Sequence, residues 1–209
     1  METLKYTDIA WDFDGTLFDS YPNMVRSLRE ALEYYGFTAP DAEIHEKMTI
    51  TVGHAVRFYA EKYHLDPKEL STKRKELEGF RPELVTPYPG VTETLKKIKE
   101  SGRRNHLFTN RGLASVRYLE ANDLLQYFEG LITAECLQEL KPSPDGLLQL
   151  LEQYGCPPEK MLMVGDRVVD IDSAKNAGTD ACFYNTNGIA VPKGTDFEIN
   201  QLTDLLAYL

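Results

Sequence analysis

The sequence predicts an α/β protein: a parallel β sheet covered by helices on both faces and interrupted by a helical insertion. Three observations carry this expectation. Short apolar runs recur along the chain, "DIAWDF" (8–13), "NHLFTN" (105–110), "GLITA" (130–134), "MLMVGD" (161–166) and "ACFYN" (181–185). Amphipathic stretches lie between them, and strands alternating with helices build a parallel sheet buried on both sides. The first and second runs are roughly ninety residues apart, whereas a crossover between neighbouring parallel strands needs about a dozen or somewhat more.

In chain order, the first strand places Asp12 among Ile9, Ala10, Trp11 and Phe13, where a buried strand wants another valine. Burying an unpaired carboxylate costs several kcal/mol or more, so Asp12 needs a metal or a hydrogen-bond cage. Residues 20–80 then read as helical. Met24, Val25, Leu28, Ala31, Leu32 and Tyr35 form a stripe ended by Gly36, and further helices are expected over 53–64 and 66–79. We therefore expect an all-helical domain over 19–82, crossed near Phe18-Asp19 and Arg81-Pro82, and a core of 1–18 and 83–209.

After Pro89-Gly90, one face carries Val91, Thr94, Leu95 and Ile98 and the pattern stops at Gly102, which predicts a crossover helix. Thr109-Asn110 is placed to cap a helix starting near Arg111. Ser143-Pro144 offers an N-cap and a proline at the first helical position for a helix carrying Leu147, Leu150, Leu151 and Tyr154 up to Gly155. Ile199, Leu202, Leu205, Leu206 and Leu209 predict a final amphipathic helix.

Composition narrows the function. With 209 residues the chain can bury a full core, and a formal charge of −10 argues against nucleic acid or an anionic membrane as partner. Cys136, Cys156 and Cys182 are odd in number and form no CxxC pair, so they are expected to be buried thiols rather than a disulfide or zinc framework. His45, His54, His64 and His106 share no metal-like spacing; His106 is expected in a strand and the others on the surface of the insertion. There is no basic leader before an apolar stretch, and no run approaches the ~18 apolar residues of a spanning helix. These features give the expectation of a soluble cytoplasmic protein. GxGxxG, P-loop and GxSxG patterns are absent.

Ligands of open parallel sheets bind beyond the carboxyl ends of the strands. Asp12, Thr109 and Asp166 fall at that edge, and Lys141, in "LKPSPDG", lies on a loop that opens onto it. Taken singly, each has an ordinary reading: Thr109-Asn110 as a cap, Lys141-Pro142 as an exposed loop, Asp166 and Asp170 as a turn residue and an N-cap, Asp14-Gly15 as a turn. Jointly the ordinary account needs four coincidences on one sheet edge. Carboxylate oxygens suit a hard cation, and Mg²⁺ takes one or two carboxylates plus waters and substrate phosphate. An anionic nucleophile meeting a phosphate is repelled by about 4 kcal/mol per pair of unit charges at 4 Å and an effective dielectric near 20. A cation and a lysine remove that barrier.

"DFDGT" (12–16), "LFTN" (107–110), "KPSPDG" (141–146) and "GDRVVDI" (165–171) occur in this order. On these motifs the chain resembles the haloacid dehalogenase superfamily, in its phosphoglycolate phosphatase-like branch. The resemblance implies a Rossmann-like core with a helical cap and a Mg²⁺-dependent phosphatase acting on a small phosphorylated metabolite. It further implies that Asp12 is the nucleophile forming an aspartyl-phosphate and Asp14 the general acid and base. Thr109, Asn110 and Lys141 would hold the phosphoryl group, and Asp12, the Asp14 main-chain carbonyl and Asp166 the metal, with Asp170 a further ligand or a support. Arg111 stands where many relatives carry lysine. A sugar phosphomutase of the same fold is one alternative, although Thr16 and Met24 replace the residues expected of it. A phospho-accepting or binding module without turnover is another. In the cap, "MTITVGHAVR" (48–57) is the expected substrate-facing segment, with Thr51, His54 and Arg57 near the leaving group; the competing reading is a helix start at Thr51 or Gly53.

Overall fold

The computed structural model describes residues 5–186 and 188–209. The chain begins with β1 (Asp8–Trp11) and β2 (Phe18–Asp19) and continues through four helices, α1 (Tyr21–Tyr34), α2 (Asp41–Ile50), α3 (Val52–Tyr63) and α4 (Pro67–Glu78). It returns through β3 (Thr86–Pro87), α5 (Val91–Glu100), β4 (Arg104–Phe108), α6 (Ala114–Ala121) and β5 (Phe128–Ile132). The remainder is α7 (Asp145–Tyr154), β6 (Met161–Gly165), α8 (Val168–Ala177), β7 (Asp180–Tyr184), β8 (Phe197–Ile199) and a 3₁₀ turn over Leu202–Ala207.

The fold is α/β. Six parallel strands form one sheet in the order β5-β4-β1-β6-β7-β8. From β1 the chain builds outward to β4 and β5 on one side, then crosses back to build β6, β7 and β8 on the other, so the order reverses beside β1. A ligand crevice opens where such a sheet reverses. Alternate strand residues face opposite sides: Ala10, Phe108, Met161, Met163, Ala181 and Phe183 join Leu147, Leu150, Ile171 and Ala174 of α7 and α8 in one buried cluster. Burying one such leucine stabilises by about 1.5–3 kcal/mol.

Two compact units divide the chain, Met1–Phe18 with Pro87–Leu209, and Asp19–Thr86. The return crossing thus lies at Thr86–Pro87 rather than at residue 82, because those two residues form β3 and pair with β2. The second unit is helical, with a core that includes Met24, Leu28, Leu32, Ile44, Met48, Tyr59 and Leu70. Its α2 has no separate signal in the sequence; only Ile44 and Met48 are buried along it, too few for a periodic stripe. Within "MTITVGHAVR", Thr51 caps α3, its hydroxyl accepting the His54 N–H at 2.9 Å.

Four other expectations change. Ile199 belongs to the edge strand β8, which pairs with β7 through Tyr184, and only a 3₁₀ turn follows; the leucine spacing imitated one longer helix. A three-residue strand is too short to show alternation. α6 starts at Ala114 instead of Arg111, because the Arg111 N–H is taken by Thr109 Oγ1 at 3.0 Å and the chain turns again at Gly112. Pro144 precedes α7 as its cap residue instead of opening it, while Ser143 Oγ accepts the Asp145 N–H. Cys156 and Cys182 are buried, but Cys136 is exposed.

Candidate active site

The residues predicted for the strand-edge site lie in the sheet-bearing unit, whereas Thr51, His54 and Arg57 belong to the helical unit; the strand register explains why the strand-edge residues meet. Trp11 of β1 pairs with Leu107 of β4 and Val164 of β6, so Asp12 follows its strand within one residue of the level at which Thr109 and Asp166 follow theirs. The Asp12 N–H continues the ladder by donating to Val164 O at 2.9 Å. Beyond Asp12 the chain reverses at Gly15, whose φ of +79° an L side chain would resist. That reversal carries the buried Thr16 hydroxyl to Asp166, to which it donates at 3.3 Å.

Lys141 is the centre of the cluster. Its Nζ donates to Asp12 Oδ1 at 2.7 Å, Asp170 Oδ1 at 2.6 Å and Phe108 O at 2.8 Å. An ammonium has three protons, so all three are used. Asn110 aims the loop: its Oδ1 accepts the Lys141 N–H at 2.8 Å and its Nδ2 donates to Lys141 O at 3.3 Å. Asp170 sits one turn into α8, where its Oδ2 accepts the Arg167 main-chain N–H at 3.1 Å. The approach of β6 to α8 is close enough that a Cβ on Gly165 would lie 2.3 Å from the Asp170 Cβ.

Asp12, Asp166 and Asp170 are buried and present carboxylate oxygens all within 4.8 Å of one another. An all-oxygen, carboxylate-rich set is the donor chemistry of Mg²⁺ rather than of a thiophilic metal, so these residues fit a hard divalent cation. Asp14 points to a different partner, accepting from Arg111 Nε at 2.8 Å. Thr109 is fully buried, its Oγ1 accepting the Arg111 N–H.

Two cations shape the charge of Asp12. Burial alone would raise its pKa, but Lys141 and Arg167 outweigh burial and hold the carboxyl below the usual range. Asp170 goes the other way: burial and the Asp12 charge push it up, against the pull of Lys141 and Arg167. Neighbouring carboxylates whose acidities are driven apart are a recurrent feature of acid–base sites. Arg167 escaped the sequence reading, since an arginine inside "GDRVVDI" looks like a solvated loop residue; its Nη2 in fact donates to Asp12 Oδ2 at 3.2 Å. Thr16 and Arg111 were also given no role, although both fall inside or beside quoted motifs.

Residues 9–184 match the haloacid dehalogenase-like hydrolase family. The chain belongs to that family. It is 31% identical, over 95% of its length and 93% of the relative's, to a phosphoglycolate phosphatase of Vibrio parahaemolyticus. It is 27% identical to the pyrophosphatase PpaX of Bacillus cereus, over 99% of this chain and 97% of that one. Among solved structures, one described as a predicted phosphoglycolate phosphatase from Haemophilus somnus superposes with a TM-score of 0.85 at 24% identity, covering 99% of both chains. That likeness concerns the fold. Among the described residues, no helix of this hydrolase is long and apolar enough to cross a membrane.

Proposed function

We propose that this hydrolase is a Mg²⁺-dependent phosphatase that cleaves a small phosphomonoester of the cytoplasm through an aspartyl-phosphate on Asp12. The observation that supports this reading best is the contact of a buried strand-end carboxylate with a buried ammonium, Asp12 Oδ1 to Lys141 Nζ at 2.7 Å, beside two further buried carboxylates. A carboxylate held ionised this way is a competent nucleophile.

In the proposed reaction an Asp12 oxygen bonds to phosphorus as the ester P–O bond breaks, and Asp14 gives its proton to the departing oxygen. Asp14 then removes a proton from water, which attacks the phosphorus, frees inorganic phosphate and restores Asp12. Thr109 contacts a phosphoryl oxygen, and the Lys141 ammonium, its three protons held by Asp12, Asp170 and the Phe108 carbonyl, neutralises nucleophile and phosphoryl group through its charge; Asn110 acts by fixing the Lys141 loop. Asp12, Asp166 and the Asp14 main-chain carbonyl would hold Mg²⁺, with Asp170 as a further ligand or a support, and the ion would supply positive charge that offsets the phosphoryl anion. The relatives are named for activity on phosphoglycolate and pyrophosphate, which makes these two the first compounds to offer.

Purified protein with Mg²⁺ should release inorganic phosphate over many turnovers from at least one member of a phosphomonoester panel. A single stoichiometric burst would instead indicate a phospho-accepting module, and an isomeric sugar phosphate without free phosphate would indicate a mutase.

A further inference from the structure

The Arg167 guanidinium reaches all three carboxylates of the candidate metal site. Nη2 is 3.2 Å from Asp12 Oδ2, and Nε is 3.8 Å from Asp166 Oδ1 and 4.0 Å from Asp170 Oδ2. Lys141 takes the other oxygen of Asp12 and of Asp170 and has no bond to Asp166. The two cations therefore divide the cluster: Lys141 is tied to one oxygen of Asp12 and of Asp170, and Arg167 lies beside an oxygen of each of the three carboxylates that fit a divalent ion. The Arg167 side chain is only 8% exposed, so water screens its charge poorly.

We propose that Arg167 is a built-in competitor for the divalent cation: its single positive charge offsets part of the charge of Asp12, Asp166 and Asp170 in the metal-free protein, and it gives up Asp12 when the ion binds. This rests on the assignment of those carboxylates as metal ligands. A guanidinium stays protonated at any working pH, so it cannot make room by losing charge and must move. Its side chain is dispensable for the start of α8, because the bonds there, Arg167 N–H to Asp170 Oδ2 and Asp170 N–H to Arg167 O, use the Arg167 main chain. Removing the guanidinium should thus tighten metal binding while leaving the helix in place. The same removal leaves three carboxylates with one resident cation, so the metal-free variant loses stability that the ion restores.

The test is calorimetric titration of Mn²⁺ into the full chain for wild type, Arg167→Gln and Asp166→Asn at one pH and ionic strength. Arg167→Gln should bind at least tenfold more tightly than wild type and show a larger rise in melting temperature on Mn²⁺ addition; Asp166→Asn should lose most binding. Equal or weaker affinity in Arg167→Gln, with Asp166→Asn still impaired, overturns the competition and leaves the metal site standing. Absence of binding by wild type, or wild-type binding by Asp166→Asn, removes the metal assignment and this inference with it. Because Arg167→Gln can fail to fold, the wild type provides a second readout. Its Arg167 Nε–H resonance, assigned with Arg167→Lys, should move as Mg²⁺ saturates the site, and an unmoved resonance at saturation contradicts the proposal.

Discussion

At the scale of single residues, Lys141 is a fixed charge, since each of its protons is engaged inside the protein. Replacing Asp12 by Asn keeps an oxygen for that ammonium but removes the attacking anion. Asp12→Asn should therefore lower kcat by about 10³-fold or more with an unchanged circular dichroism spectrum. Asp8, at the far end of β1, makes a separate prediction. Burial would raise its pKa, but hydrogen bonds from His106 and Arg104, at 2.7 and 2.7–2.8 Å, hold it well below the usual carboxylate range. A depressed carboxyl stabilises the fold above the unfolded value near 3.8 and loses that contribution as pH falls below it. Asp8→Asn should cost about 2 kcal/mol in urea unfolding at pH 6, and the gap to wild type should shrink toward pH 3. The thiols differ as well: burial pushes Cys156 and Cys182 up to about 12, while Cys136 is exposed. One thiol per folded chain should react with a disulfide reagent at pH 8, and three after unfolding. Asp12 was legible in the sequence because it interrupts an apolar strand, a conflict that demands a partner. Arg167 was not, because nothing local tells a buried guanidinium from a solvated one.

At the scale of elements, parallel strands of similar length end on one line, and this is why residues from distant motifs converge. The five longer strands were readable from their apolar runs and the main helices from their stripes, whereas β8 and α2 were not: one has three residues, the other two buried side chains. Loop details also escaped, since the start of α6 is decided by which acceptor takes the Arg111 N–H. Between β6 and α8, Gly165 leaves no room for a methyl group beside Asp170. Gly165→Ala must displace that carboxylate or shift the helix, so it should lower stability by about 1–3 kcal/mol in thermal or urea melts and weaken Mn²⁺ binding.

For the molecule as a whole, a chain of formal charge −10 concentrates cations where the proposed reaction needs them. At formal charges Asp12, Asp14, Asp166 and Asp170 stand against Lys141, Arg111 and Arg167, leaving the cluster with one net negative charge before any metal or substrate enters. A divalent ion reverses that sign and makes the place attractive to a phosphate, so activity should vanish with a chelator and return with Mg²⁺. The reversal of strand order beside β1 puts this charge at the crevice of the sheet. Mass spectrometry of peptides after rapid acid quench during turnover tests the central assignment most directly. A phosphoryl group should appear on the peptide containing Asp12, require Mg²⁺, and be missing from Asp12→Asn; steady phosphate release by Asp12→Asn at the wild-type rate would contradict the account.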